Sequence, residues 1–92
     1  MSLSQKNDKG IEKDIEKVIA ELRELLEDNT VPKNIKENID GVIKTLEKKG
    51  DIFMHVNKAL NELDEIADDT NMQPYTRTQI WNIVSMLEKL SA

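Results

Sequence analysis

The side chains that could do chemistry in this sequence are few and scattered. There is one His, His55, and there is no Cys, so disulfides, thiolate nucleophiles and Cys-based zinc sites are excluded. Asp64, Glu65, Asp68 and Asp69 include pairs four residues apart that could hold a hard cation, but no EF-hand ladder of ligands follows them. We interpret His55 as a residue of the surface or flank of its helix and the acids as a solvated face, and the sequence predicts no metal site.

Motifs for catalysis are also missing. Ser85 has no base evident near it in the sequence, and there is no Gly-rich phosphate loop, nucleophile elbow or paired-histidine zinc motif. Acidic and basic side chains without a nucleophile or a metal do not make a reaction mechanism. The sequence therefore predicts that the protein is not an enzyme, and it predicts no cofactor and no small-molecule substrate.

Length and composition indicate one small globular domain. The chain has 92 residues, of which 38% are hydrophobic and 34% charged, a balance that argues against both disorder and a membrane protein. No apolar run of about 18 residues could span a bilayer, and the start lacks a secretory signal, so we expect a cytoplasmic protein. The net charge of −5 argues against nucleic acid and anionic lipid as main partners.

The apolar residues recur at spacings of three and four, which places them on one face of each of four helices. Pro32, Gly50 and Pro74 mark the breaks between these helices, and residues 1–10 are predicted to be a flexible tail. The stripes are Ile11, Ile15, Val18, Ile19, Leu22, Leu25 and Leu26; Ile35, Ile39, Val42, Ile43 and Leu46; Ile52, Val56, Ala59, Leu60, Leu63, Ile66 and Ala67; and Ile80, Ile83, Val84 and Leu87.

The second half of the chain repeats the pattern of the first half. A shift of 41 residues aligns Leu22 with Leu63 and Ile39 with Ile80, and it also aligns the turns and the Glu-Lys pairs at the helix ends. We interpret residues 11–92 as one domain made of two helical hairpins, 11–49 and 51–91. Folded face to face, the hairpins form an all-α, up-and-down antiparallel four-helix bundle. A HEAT-like stack of the two hairpins is the alternative.

Two stretches of the sequence also resemble a known family. They are Thr30 to Ile35, which reads TVPKNI, and Thr76 to Glu88, which reads TRTQIWNIVSMLE. They are similar to a family of short archaeal proteins that is catalogued only as an uncharacterised, UPF-type family. The resemblance covers about residues 11–90. It implies an all-helical protein of four helices, with no assigned activity and no site residues to transfer.

The second hairpin is apolar at flanking positions where the first is polar. Large exposed apolar patches mark interaction sites, and aromatic residues and Met are over-represented there. We predict a partner-binding surface at Trp81, Arg77, Tyr75, Met86 and Phe53, in which Arg77 can lie over the Trp81 indole. The six replacements are Phe53 for Glu12, Met54 for Lys13, Tyr75 for Asn34, Trp81 for Asp40, Met86 for Thr45 and Leu90 for Lys49.

These residues favour a small helical module that self-associates or binds a protein partner. The competing interpretation is that Trp81 closes an edge of the bundle and Phe53 caps its end. A third hypothesis is association with nucleic acid or a ribonucleoprotein through the second helix. That helix carries Lys33, Lys36, Lys44, Lys48 and Lys49, but no aromatic residues alternate with them and the chain is acidic overall.

Overall fold

Four helices make up the structure, a computed structural model that describes residues 2–90, with side chains from residue 10 onward. The helices are α1 (Ser2–Glu27), α2 (Lys33–Glu47), α3 (Ile52–Ala67) and α4 (Pro74–Glu88). Residues 2–90 contain no strand. The all-α fold class that the apolar spacing predicts is therefore confirmed.

The helices form a closed ring in which each contacts two neighbours. α1 packs on α2, α2 on α3, α3 on α4, and α4 back on α1. Because the connections are short, neighbouring helices run antiparallel. A HEAT-like stack would instead pair α1 with α3 and α2 with α4, and neither pair is in contact in the described part of the chain. The structure is an up-and-down four-helix bundle.

The core is built from the predicted stripes of all four helices. Its central side chains are shielded from solvent, and each contributes roughly 1.5–3 kcal/mol by leaving water. Val31 and Met72, in the two turns that lie within the hairpins, are buried as well. Thr76 is buried at the position that matches Ile35, and its hydroxyl has no hydrogen-bond partner among the described residues. The completely shielded residues include Val18, Leu22, Ile35, Ile39, Val42, Val56, Leu63, Ile80, Ile83 and Leu87.

The turn within each hairpin begins with an aspartate that accepts a backbone hydrogen bond. Asp28 Oδ1 accepts from the backbone N–H of Thr30 at 2.8 Å and from its hydroxyl at 2.7 Å. In the second hairpin, Asp69 Oδ1 accepts from the backbone N–H of Asn71 at 2.8 Å. The hydroxyl bond first, and then the backbone bond, hold the pKa of Asp28 below its usual value. The same local hydrogen bond thus stabilises both turns.

The turn between the hairpins contains Gly50, which the sequence predicts as a break, followed by Asp51. Gly50 has a φ of +121°, a conformation that glycine adopts without the steric cost of a side chain. Asp51 caps α3, because its carboxylate accepts from the backbone N–H groups of Phe53 at 3.0 Å and Met54 at 3.4 Å. These contacts fix where the second hairpin begins.

The expected start of the first helix needs correction, and Gly41 of α2 is not a site of close helix packing. α1 begins at Ser2 rather than at Ile11, so residues 2–10 of the predicted tail are helical, while Met1 lies outside the described residues. Propagating a helix past Gly10 costs only about 1 kcal/mol relative to Ala, and no proline stops it. Gly41 does not permit a close helix approach, because a Cβ added there meets nothing within 4 Å.

Candidate interaction face

The second hairpin exposes large apolar side chains that the core does not need. Trp81 is 45% exposed and Phe53 is 39% exposed, while Tyr75 and Met54 are each 67% exposed. The buried stripe is complete without them. Trp81 therefore does not fill the bundle interior, and its exposed part is available for a contact outside the chain.

Arg77 shows which side of α4 faces α3. Its Nε donates to the carbonyl of Ala67 at 3.1 Å, and its Nη2 donates to the carbonyl of Asp69 at 2.7 Å. These carbonyls lie at the end of α3, where unpaired acceptors and the negative end of the helix dipole favour a cation. Arg77 thus ties the two helices together, a role that the predicted stacking on Trp81 does not include.

Helix geometry then places Phe53, Leu60 and Trp81 on one side of the hairpin. Successive residues turn by about 100°, so Phe53, Leu60 and Ala67, spaced seven apart, lie along one line beside α4. Trp81 follows Arg77 by four residues and lies on the α3 side of α4. Leu60 is half-buried and packs against the core. We call the surface formed by Phe53, Leu60 and Trp81 the Trp81 face.

The remaining predicted residues lie elsewhere. Tyr75 and Met86 project from the other flank of α4, which faces α1. Tyr75 is at the first turn of α4, where Gln79 Nε2 lies 3.4 Å from its hydroxyl, and Met86 is half-buried against the core. The structure therefore brings Phe53 and Trp81 to one face and leaves Tyr75 and Met86 on another.

The same side of the first hairpin is polar. There Arg23 Nη2 of α1 binds Glu47 Oε2 of α2 at 2.8 Å. The positions that match this ion pair in the second hairpin are Asp64 and Glu88, both acidic. The Trp81 face is thus apolar at its centre and has carboxylates at its edge, whereas its counterpart is bridged by a surface ion pair.

A cleft at one end of the bundle adjoins this face. It encloses about 840 Å³ between α1 and the turn from α2 to α3. Ile11, Ile15, Leu46 and Ile52 give it an apolar floor, and Phe53 is part of its wall. Phe53 is therefore shared between the cleft and the Trp81 face, and the apolar surface continues around the end of the bundle.

The chemically active residues do not gather into a site. His55 is half-buried, with Nδ1 unpartnered among the described atoms; Asp64, Glu65 and Asp68 are exposed. Within residues 10–90, no group of three or more His, Cys, Asp or Glu side chains could hold a metal ion. None of the helices in the described part of the chain is long and apolar enough to cross a membrane.

The lysines of α2 form a solvated surface. Lys33, Lys44, Lys48 and Lys49 are exposed, and Lys44 pairs with Asp40 at 3.1 Å within the helix. No aromatic side chain lies among them in the sequence. They lack the stacking platform that single-stranded nucleic-acid binding uses.

The fold and this face define a small four-helix bundle with an aromatic surface outside its core. A model of the Uncharacterised protein family (UPF0147) matches residues 2–90. A UPF0147 protein of Methanocaldococcus jannaschii is 38% identical over 95% of each chain, and one of Archaeoglobus fulgidus is 30% identical over 86% of this chain and 91% of the other. The chain belongs to the UPF0147 family of archaeal proteins, whose function is unassigned.

A solved structure also resembles this one. The crystal structure of a protein of unknown function, MMP1188, superimposes with a TM-score of 0.77. It is 38% identical and covers 82% of this chain and 86% of its own. The resemblance to a family of short archaeal helical proteins, which TVPKNI and TRTQIWNIVSMLE indicate, is therefore confirmed.

Proposed function

We propose that this protein is a cytoplasmic, non-catalytic interaction module that binds another protein chain through the Trp81 face. The observation that carries the proposal is the 45% exposure of Trp81 beside Phe53 and Leu60 on a bundle whose core is already complete. Trp is enriched among the residues that contribute most to binding at protein interfaces, and these residues cluster near the centre of the patch.

The proposal explains why the apolar excess is confined to one hairpin. A polar residue at this position would leave less apolar surface in water, and an exposed apolar patch favours aggregation. The first hairpin carries Asp40 at the matching position and an ion pair across the same groove, so a polar residue is compatible with this fold. The apolar choice at Trp81 then reflects a contact made outside the chain.

The test compares Trp81→Asp with Asn82→Asp by light scattering and by affinity capture from extract of the source organism. Asn82 is exposed on the same helix, so its variant adds the same charge and keeps the indole. We expect wild type and Asn82→Asp to form the same complex, either an oligomer or a stoichiometric complex with one partner, and Trp81→Asp to lose it. Wild-type monomers that capture the same proteins as Trp81→Asp would contradict the proposal.

A further inference from the structure

The edge of the Trp81 face is negatively charged. Asp64 of α3 and Asp68, the C-cap residue of that helix, are exposed one turn apart, and Asp64 lies next to the line of Leu60 and Phe53. The only basic residue of α3, Lys58, lies about 160° around the helix from Leu60. Residues 51–73 carry one basic and six acidic side chains, a net charge of −5. The part of the face near Asp64 and Asp68 therefore presents carboxylates, whereas Lys48 and Lys49 line the cleft beside Phe53 at the other end.

The α4 side adds little compensating positive charge. The Arg77 guanidinium donates to the carbonyls of Ala67 and Asp69 through Nε and Nη2. These two N–H groups are therefore already used within the chain. Lys89 lies beyond the end of α4, about 12 Å along the helix from Trp81 and at the end of the face away from Asp68. The apolar centre is therefore set in a negative surface potential, which attracts cationic partners.

This charge argues against a second copy of the chain on the face. A twofold dimer uses the same patch on both subunits, so Asp64 and Asp68 would line both sides of the interface. Residues 51–92 carry three basic and seven acidic side chains, a net charge of −4. Bringing two such hairpins together juxtaposes like charges, which disfavours association.

We infer that the Trp81 face binds a basic amphipathic helix of a different protein. The inference rests on the proposed function and names its partner class. A groove between two antiparallel helices accepts a third helix through apolar side chains at positions i, i+3 or i+4, and i+7. Phe53 and Leu60 are separated by about 10.5 Å along α3, which matches two turns of such a helix. Lysine or arginine beside its apolar stripe would lie against Asp64 and Asp68.

Three labelled synthetic helices of about 18 residues, long enough to form a stable helix on binding, test the inference by fluorescence anisotropy. The first has a Leu stripe flanked by Lys, the second the same stripe flanked by Glu, and the third Lys with the stripe replaced by Gln. We expect the first to bind, and to bind several-fold more weakly as salt rises from 50 to 300 mM, because salt screens exposed charges. The other two should bind at least about tenfold more weakly.

Charge-reversal variants locate the contact. Asp64→Lys/Asp68→Lys should weaken binding of the first peptide about tenfold, and Trp81→Asp should abolish it. The matched control is Glu21→Lys/Glu24→Lys, which changes the net charge equally at exposed sites of α1 and should leave the affinity within about twofold. Circular dichroism of each variant verifies that the bundle remains folded.

The outcomes separate the inference from the function on which it rests. Equal binding of the Lys- and Glu-flanked peptides would overturn the inference and leave an apolar interaction face. A dimer that depends on Trp81, with no peptide bound, would also overturn it, and the interaction module would stand with a second copy as partner. No peptide binding, together with identical capture by wild type and Trp81→Asp, would overturn both.

Discussion

The two hairpins of this bundle bury most of the same positions and expose different chemistry. Residues 41 apart in sequence, such as Ile39 and Ile80, or Val31 and Met72, are buried in both. On the outside, one hairpin has an ion pair between Arg23 and Glu47. At the matching positions the other hairpin has two carboxylates, Asp64 of α3 and Glu88 of α4. Trp81 lies on the same flank of α4 as Glu88. The core stripe determines the fold, and the outer flank is free to differ.

This difference separates structural from functional apolar residues. A buried Ile or Leu at helical spacing is explained by packing alone, since either hairpin needs it to close the core. Trp81 and Phe53 have no such explanation, because the first hairpin folds with Asp40 and Glu12 in their places. Comparing matching positions of the two hairpins thus identifies the candidate face, which the apolar pattern of one helix alone does not.

The largest expected effect tests whether the two cores are equivalent. Ile39→Ala and Ile80→Ala each empty a fully buried position, so each should lower the free energy of unfolding by about 2–5 kcal/mol. Chemical denaturation of both variants gives the comparison. We expect the two losses to agree within about 1 kcal/mol. A small loss at one site and a full loss at the other would show that the hairpins do not share one core.

A smaller effect on stability is expected at Arg77, which joins the two helices of the second hairpin by hydrogen bonds that the first hairpin lacks at the matching position. Arg77→Ala removes two hydrogen bonds to carbonyls at the end of α3 and should destabilise the protein by about 1.5–3 kcal/mol. Lys36→Ala, at the matching position of the first hairpin, should change stability by less than about 0.5 kcal/mol. Thermal unfolding measures both. Equal effects would mean that Arg77 acts as an ordinary surface cation.

The smallest effect concerns a glycine that only the first hairpin has. Gly41 lies inside α2, and an added Cβ would meet nothing within 4 Å. Gly41→Ala should therefore stabilise the protein by about 0.5–1 kcal/mol, because Ala is the better helix former. Gly50→Ala is the contrasting control, and its positive φ of +121° makes it destabilising. A destabilised Gly41→Ala variant would reveal a packing role for this position.

Much of the fold was predictable because a helical stripe is a local pattern. Apolar spacing places the helices and their core faces. The capping preference of Asp and the backbone preferences of Gly and Pro mark helix ends at Asp51, Gly50 and Pro74. The start of α1 was not predictable, since polar residues without a proline neither require nor forbid a helix. Residues 2–10, which were predicted to be a flexible tail, are therefore part of α1 in the structure.

The candidate site was predictable only in part. Composition identifies Trp81 and Phe53 as unusual, but which residues share a face depends on how the helices pack. Tyr75 and Met86 belong to the opposite flank for that reason. Arg77 was expected over the indole because the two residues are four apart, yet its guanidinium reaches the carbonyls at the end of α3. The carbonyls compete with the indole for the guanidinium only because the two helices pack together. The spacing of residues along one helix does not show such a contact.

The most direct test of the Trp81 face gives the second hairpin the outer residues of the first. The variant Phe53→Glu/Trp81→Asp carries the side chains found at Glu12 and Asp40, with the buried stripe unchanged. Its free energy of unfolding and its complexes are measured beside wild type. We predict that the bundle still folds, with its free energy of unfolding lowered by about 1–4 kcal/mol because each ring is more than half shielded by its neighbours, while the complex is lost. A variant that keeps the complex, or that fails to fold, would contradict this account.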